Sequence, residues 1–151
     1  MTQQVRECSV ARTLELVGTK WTLLAVRELM LGCHRFDEIR RNTGAPRDIL
    51  TDRLRKLEDN GFVERVRYED HPPRYEYRLT DLGRALMPVI ATLREFGDRH
   101  LAGPDGPPLE IVHSCGQEFH PALACRACGD VARADDLTII GTTPPSARAG
   151  A

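Results

Sequence analysis

Long hydrophobic runs and a strong net charge are both missing from this sequence of 151 residues. No apolar stretch approaches the roughly 20 residues that a membrane-spanning helix needs, and the first ten residues lack the apolar core of a secretory signal. Phosphate-binding loops, nucleophile-elbow motifs and zinc-protease motifs are absent as well. We therefore expect a cytoplasmic protein that makes no membrane contact and is not an enzyme.

The net charge of −1 conceals an uneven distribution. Residues 1–102 carry 18 basic and 16 acidic side chains, whereas residues 103–151 carry 3 and 6. Between residues 35 and 56, 7 basic side chains stand against 4 acidic ones. Because salt screens charges beyond about 10 Å, a local basic face can bind an anionic partner although the whole chain is nearly neutral. This balance argues against tight, sequence-independent coating of DNA.

Apolar residues at helical spacing predict four helices in the first 60 residues, over residues 8–17, 20–31, 37–42 and 46–60. The connector at 33–36 could add one small strand. Two alternating segments then predict a β-hairpin, with strands at 63–69 and 74–79 and with His71, Pro72 and Pro73 at the tip, where proline forbids regular ladder pairing.

A last long helix is predicted over residues 81–101, with Pro88 expected to kink it. It carries an apolar stripe formed by Leu82, Leu86, Val89, Ile90, Leu93 and Phe96. Because the helix follows a complete small domain, the stripe predicts a partner in a second copy of the chain. We expect a homodimer formed through the helices at 8–17 and 81–101.

These elements predict an α+β protein that is mainly helical. Residues 1–102 would form a winged helix-turn-helix domain with a β-hairpin wing, and residues 103–108 a linker. Residues 109–140 would form a small Cys/His-rich unit like a zinc ribbon, and residues 141–151 a disordered tail. In such a layout one helix can enter a major groove of double-stranded DNA while the hairpin reaches the flanking backbone.

The chain resembles the HxlR-type winged helix-turn-helix transcriptional regulators over residues 8–100. The shared motifs are a cysteine near the start, GTKWTLL, RFDEIR, LTDRLRKLE, GFVER and PPRYEYRLTDLG. The resemblance implies homodimers that bind inverted-repeat operators without enzymatic activity. Several members of that family look like sensors of electrophiles or oxidants through the early cysteine, which is Cys8 here. Residues 103–151 go beyond the minimal family pattern.

Three groups of residues are candidates for DNA contacts. Base edges are within reach of side chains on the helix at 46–60, namely Arg47, Asp48, Thr51, Asp52 and Arg55. Phosphates suit Arg35, Arg53 and Lys56, and the wing offers Arg65, Arg67 and Arg74. The alternatives are that the charged face is only solvated, and that Arg67 and Arg74 pair across the hairpin with Glu69 or Glu76.

Cys8 is the candidate sensor because the N–H groups at a helix start favour a thiolate. A buried, purely structural cysteine is the alternative. Cys33 could form a disulfide with Cys8 only if their Cα atoms come within about 7 Å.

The C-terminal cysteines predict a structural zinc site, although the DNA-binding hypothesis requires no cofactor. Cys125-Arg126-Ala127-Cys128-Gly129 has the spacing of a zinc knuckle, and Cys115-Gly116 resembles half of another. The candidate ligands are Cys115, His120, Cys125 and Cys128, with His113 as the alternative to His120. A metal-free hairpin with reduced or disulfide-linked cysteines stays open.

The leading function is a sequence-specific DNA-binding regulator, preferably a repressor, that responds to a small molecule or to thiol modification. One alternative is a protein-interaction module that carries a structural zinc ion. The other is a small zinc or thiol enzyme, for which Glu118 is the one obvious general base.

Overall fold

The computed structural model describes residues 8–138 and Ile140, so the tail predicted at 141–151 lies outside the described residues. Its helices are α1 Ser9–Val17, α2 Lys20–Met30, α3 Phe36–Thr43, α4 Arg47–Asp59, α5 Asp81–Arg84 and α6 Met87–His100. The strands are β1 Val63–Asp70 and β2 Pro73–Leu79, and a short 3-10 turn covers Ala134–Asp136. Within this described part, no helix is both long and apolar enough to cross a membrane.

The chain divides into two compact units, residues 8–90 and the residues from 91 onward. The boundary between them lies inside α6, and the linker at 103–108 stays a prediction. In the second unit, α6 is tied to the C-terminal segment, because Arg94 donates to the Phe119 carbonyl (2.6 Å) and His120 contacts Glu95 (3.3 Å). These two links explain why the last turns of α6 group with the C-terminal residues.

The first unit is built around α2, against which α3, α4 and β2 pack. Its core is aliphatic, with Val26, Ile39, Leu50, Leu54 and Leu57 at most 1% exposed. On α4, the spacing of Leu50, Leu54 and Leu57 places one leucine on the core-facing side in each turn. Burial of such side chains contributes about 1.5–3 kcal/mol each, so the apolar face fixes which side of α4 remains outside.

The turn between α3 and α4 is set by Gly44 and Pro46. Gly44 closes α3 in the left-handed region with φ +71° and donates its N–H to the Arg40 carbonyl (2.9 Å). Pro46 is the N-cap of α4 and not its first helical residue as predicted. The two helices are therefore joined by a short turn, as in a helix-turn-helix motif.

The hairpin is antiparallel, with Val63 opposite Leu79 and Arg65 opposite Tyr77, and a bulge lies between Arg67 and Glu69. The tip is shorter than predicted, because Pro73 already pairs with Asp70. The strand predicted at 33–36 does not form. Instead, a single residue of this connector forms a backbone hydrogen bond with β2: the His34 carbonyl accepts from the Tyr77 N–H at 2.8 Å.

The single kinked helix predicted over 81–101 is wrong, because the structure breaks it into α5 and α6. Pro88 lies in the first turn of α6, where a missing N–H costs nothing. The predicted apolar stripe is divided as well. Leu86 is buried and Ile90 packs against the core, whereas Leu82, Val89, Leu93 and Phe96 are exposed.

Gly83 allows α5 to lie directly on the start of the wing. A Cβ atom at this position would lie 2.1 Å from the Phe62 carbonyl oxygen, which is held by the Thr80 N–H. We expect Gly83→Ala to lower the free energy of unfolding by about 1–3 kcal/mol, the usual cost of overpacking. Chemical denaturation measures this value. Gly103→Ala, where the added Cβ meets open space, is the control, and equal stability of the two variants would contradict the packing argument.

Candidate nucleic-acid interface

The outward face of α4 is polar and exposed. Arg47, Asp48, Thr51, Asp52, Arg55 and Lys56 are all exposed, whereas Arg53 is only half-exposed. The face is held rigidly because the opposite side of the helix carries Leu50, Leu54 and Leu57 in the core. The structure thus brings together, on one helix face, the side chains that the sequence predicts to reach base edges.

Ion pairs within the protein determine which of these charged side chains remain available to another partner. Asp52 contacts Lys56 at 3.1 Å and Arg53 at 3.3 Å, so its carboxylate already has two cationic partners. Arg53 is the least accessible of the predicted contacts, and its Nε is buried with no hydrogen-bond partner within the described chain. Arg55 makes only a long contact of 3.9 Å with Asp59, and its side chain is 80% exposed. Arg55 is therefore the most available arginine in the middle of α4.

Aromatic rings orient two arginines beside α4. The Arg47 guanidinium lies 5.1 Å from the centre of the Phe36 ring and 3.8 Å from Asp37. The Arg35 guanidinium lies 5.1 Å from the centre of the Tyr68 ring, which joins the start of α3 to the wing. Such cation–π contacts restrict a long side chain without neutralising its charge.

The wing arginines have different environments. Arg65 lies over the Tyr75 ring at 4.3 Å and has no carboxylate partner among the described residues. Arg74 pairs across the hairpin with Glu69 at 3.2 Å, as the alternative of cross-strand pairing predicts. Arg67 instead pairs with Asp70 at 3.1 Å and donates to the Asp70 carbonyl, so neither Glu69 nor Glu76 is its carboxylate partner. The charge of Arg65 is therefore the least neutralised of the three.

A groove of about 520 Å³ separates the start of α3 from the wing, and sequence reasoning missed part of its lining. Arg35 and Arg74 were predicted contacts, but Arg41, Tyr68 and Tyr75 were not. Tyr68 and Tyr75 are exposed aromatic residues on a hairpin. That exposure is the feature that could have pointed to them, and Tyr68 lies in the bulge, which periodicity does not predict.

Cys8 is the N-cap residue of α1 and is exposed within the described residues, as the sensor hypothesis requires. Its Sγ accepts a hydrogen bond from the Ala11 N–H at 3.2 Å. Cys33 is half-buried and also free. Burial, followed by the neighbouring Glu28 carboxylate, raises the pKa of the Cys33 thiol, so this cysteine is a poor nucleophile.

The predicted metal ligands are not gathered in the structure. Across residues 8–138 and Ile140, no group of three or more His, Cys, Asp or Glu side chains is placed to hold one metal ion. The structure therefore does not bring Cys115, His120, Cys125 and Cys128 together; a zinc ribbon is not confirmed, and the zinc site stays a prediction. The His120 ring lies between two carboxylates, at 3.3 Å from Glu95 and 3.4 Å from Glu118.

Two tight turns nevertheless resemble knuckles. Gly116 and Gly129 both have left-handed φ, +83° and +84°. The His113 ring accepts from the Cys115 N–H at 3.3 Å in the first turn. In the second, backbone N–H groups of Cys128 and Ala127 lower the pKa of the Cys125 thiol. Each turn has local knuckle features, but the structure does not unite the side chains of both turns around one point.

Comparisons with known proteins agree with this geometry. Residues 16–104 match the model of the HxlR-like helix-turn-helix family. An HTH-type transcriptional regulator of Mycobacterium tuberculosis, Rv3095, is 46% identical over 131 residues, which cover 86% of this chain and 83% of that protein. The chain belongs to the HxlR-like helix-turn-helix family, and it is a transcriptional regulator of the helix-turn-helix type.

Solved structures extend the likeness to the fold. The crystal structure of the transcription factor PA1607 is 35% identical, with a TM-score of 0.77, and the match covers 89% of this chain and 94% of that chain. The redox regulator HypR in its reduced form is 35% identical with a TM-score of 0.56, over 61% of this chain and 92% of HypR. The PA1607 match covers more of the chain than residues 16–104 do, whereas the HypR match is about as long as that range.

Proposed function

We propose that this regulator is a repressor that binds an inverted-repeat operator as a homodimer. The observation that carries the proposal is the exposed polar face of α4, which is fixed on a complete hydrophobic core by Leu50, Leu54 and Leu57. A rigid helix of 13 residues with arginine at its start and middle fits the dimensions of a major groove.

Within this proposal the predicted contacts divide into two roles. Arg47, Thr51 and Arg55 are the side chains that read base edges, since they are exposed and lie about one helical turn apart. Arg35 and Arg65 are the phosphate contacts, because aromatic rings hold their guanidinium groups at the edge of the wing. Asp52 serves chiefly to orient Lys56 and Arg53, with which it pairs.

The second copy is proposed because α1 and α6 expose apolar side chains. On α6, Val89, Leu93 and Phe96 are spaced four and three residues apart, so they lie on one side of the helix. On α1, Val10, Leu14 and Leu16 are also exposed. Soluble monomers seldom leave such faces uncovered, and a twofold pairing of identical surfaces would bury them.

The experiment that tests the proposal is selection of a bound sequence from a random pool of duplexes, followed by a gel shift. The expected result is a motif with two inverted half-sites, bound by two chains. Failure to retard any duplex at low salt and without competitor would contradict DNA binding. A motif with one unrepeated half-site, bound by one chain, would contradict the dimer alone.

Regulation is proposed to act through Cys8. The thiol is exposed at the start of α1 and accepts the Ala11 N–H, so a bulky adduct there would disturb the N-terminal turn of α1. A similar protein, HypR, is described as a redox regulator. Because α1 also carries part of the exposed apolar surface, a disturbance of α1 would change how two copies pair. A small-molecule effector could bias the same equilibrium only by binding one arrangement better than the other.

We expect a thiol-reactive electrophile to weaken operator binding by wild-type protein by at least about fivefold, the low end of ordinary allosteric coupling. Cys8→Ser should remove the response, because the nucleophile is gone and the serine oxygen can still cap α1. Operator titrations before and after N-ethylmaleimide treatment measure the effect. Cys125→Ser, which alters another exposed thiol, is the control and should respond as wild type does. An unchanged response in Cys8→Ser would contradict the assignment.

The C-terminal unit supports a second candidate role in binding a protein partner. This small unit leaves five large apolar side chains exposed, namely Leu109, Val112, Leu123, Val131 and Leu137. Truncation after residue 102 separates the two roles. If the unit recruits a partner, the truncated protein should bind the operator as tightly as the full chain but lose regulation in a reporter strain. Full regulation by the truncated protein would reject the role.

A further inference from the structure

A buried carboxylate in α2 faces the end of α3. Glu28 is only 3% exposed, and both of its oxygens are engaged. Arg27 donates to Oε1 from Nε (2.9 Å) and Nη2 (2.6 Å), and the Asn42 amide donates to Oε2 at 2.8 Å. Asn42 also contacts the Cys33 Sγ at 3.4 Å. These contacts connect α2, the α2–α3 connector and the last turn of α3.

Ionisation of Glu28 agrees with this arrangement. Burial alone raises the pKa of the Glu28 carboxyl, but hydrogen bonds from Asn42 and Arg27 and the charge of Arg27 outweigh burial, so that the pKa lies below its usual value. Glu28 is therefore a carboxylate that only accepts hydrogen bonds, and the Asn42 amide must point its N–H group towards it. The hydrogen bond can therefore run in one direction only, from the Asn42 amide N–H to the Glu28 carboxylate.

Stability does not explain the presence of this carboxylate. Charged groups lose much solvation on burial, and well-packed apolar residues often replace buried ion pairs without loss of stability. The best-attested use of a buried polar contact is to select one arrangement among several of similar packing. An apolar contact at this place would hold α3 against α2 but would not fix its direction.

The direction of α3 matters because the helix is short. Within its eight residues, Ile39 is buried and Phe36 is half-buried against the core, and both lie in its first half. Asn42 is the anchor at the other end, one residue before the closing Thr43 and two before Gly44. The turn at Gly44 leads directly to Pro46, the N-cap of α4. Fixing Asn42 thus fixes where α4 begins.

We propose that Glu28 and Asn42 are positioning residues for DNA reading: their hydrogen bond sets the start of α4 relative to α2, and neither residue needs to touch DNA. This inference rests on the proposed function of α4. It assigns to a buried residue, remote from the polar face of α4, an effect on operator affinity that is separate from an effect on stability.

A swap of the two partners tests the inference. Asn42→Asp places a second carboxylate opposite Glu28, and Glu28→Gln removes the acceptor charge. The double variant Glu28→Gln with Asn42→Asp restores one donor and one acceptor with reversed polarity and keeps the net charge. The probe is the duplex selected by wild-type protein, and both the dissociation constant and the free energy of unfolding are measured for every variant. Glu110→Gln, an exposed charge change in the C-terminal unit, is the matched control.

We expect Asn42→Asp to weaken binding about tenfold while the protein remains folded, an effect within the range of coupled contacts. The double variant should recover to within about threefold of wild type. Recovery separates positioning from a direct DNA contact by Asn42, because a direct contact would not be restored by a change at buried Glu28. If Glu28→Gln does not fold, Asn42→Ala carries the test, and it should also weaken binding about tenfold.

Unchanged affinity in the folded Asn42 variants would overturn the inference. So would a double variant that binds no better than Asn42→Asp. In both cases wild-type protein still binds the duplex, and the proposed function stands. Failure of wild-type protein to bind any selected duplex would instead overturn the proposed function itself.

Discussion

Arg55→Ala should weaken binding to the selected operator about tenfold to hundredfold. Arg55 lies in the middle of α4, its side chain is 80% exposed, and its one ion pair, with Asp59, is long at 3.9 Å. A bidentate contact of arginine with guanine contributes about 1–3 kcal/mol of discrimination, which corresponds to this range of affinity. Titrations with the operator and with duplexes changed at single base pairs measure both affinity and specificity.

The loss should be concentrated at one base pair in each half-site. Duplexes altered at that pair should bind the variant and wild-type protein almost equally, because the side chain that distinguishes the bases is absent. Stability should not change, since an exposed arginine with one weak partner contributes little. Arg126→Ala, an exposed arginine of the C-terminal unit, is the control. If the Arg55→Ala protein binds the operator as tightly as the control does, the assignment of α4 as the helix that reads the bases is contradicted.

Leu93→Glu should separate the two copies and weaken operator binding at least about a hundredfold. Leu93 is 51% exposed on α6, between Val89 and Phe96 on the same side of the helix. In a dimer the substitution would place two carboxylates in an apolar contact, where unpaired charge is costly. A monomer binds one half-site at a time and loses the gain of 10²–10⁴ that linked binding typically provides.

Light scattering during size-exclusion chromatography, together with operator titration, measures this effect. The expected result is the mass of one chain for the variant and of two chains for wild type. Leu123→Glu introduces the same change at a leucine that is 66% exposed in the C-terminal unit, and it should remain dimeric. A Leu93→Glu variant that is dimeric and binds normally would place the interface elsewhere.

Helices and the wing could be predicted from the sequence where one face of an element is buried. The leucines of α4 and the pair formed by Val63 and Leu79 mark that face, and the core lies where their periodicity indicates. The family resemblance was confirmed by the match to residues 16–104, a range that does not include Cys8. Periodicity predicts such elements well because burial of a repeated apolar face is the main stabilising contribution.

Breaks and polar contacts could not be predicted in the same way. The apolar stripe over 81–101 continues across the gap between α5 and α6, so periodicity predicts one helix where the structure has two. Likewise, charge pattern alone could not show that Asp52 is occupied by Arg53 and Lys56, or that Glu28 is paired with Asn42. These contacts depend on distances between elements, which residue spacing does not contain.

Cysteine spacing predicts a local turn but not a complete metal site. Cys125 and Cys128 do lie on a tight turn with Gly129 in the left-handed region. The expected third and fourth ligands depend on how two turns approach each other, and the described residues do not place them around one point. His120 illustrates the difficulty, because its partners Glu95 and Glu118 are a helix residue and a loop residue.

Methylation protection of guanine N7 on the selected operator tests the central claim most directly, because N7 lies in the major groove. If two copies each insert α4, wild-type protein should protect two patches related by inversion, with their centres about one helical turn of 10–10.5 base pairs, or a multiple of it, apart. Arg55→Ala should lose protection at the same guanine in both patches. Binding that leaves every guanine N7 accessible, or that protects a single patch, would contradict the claim.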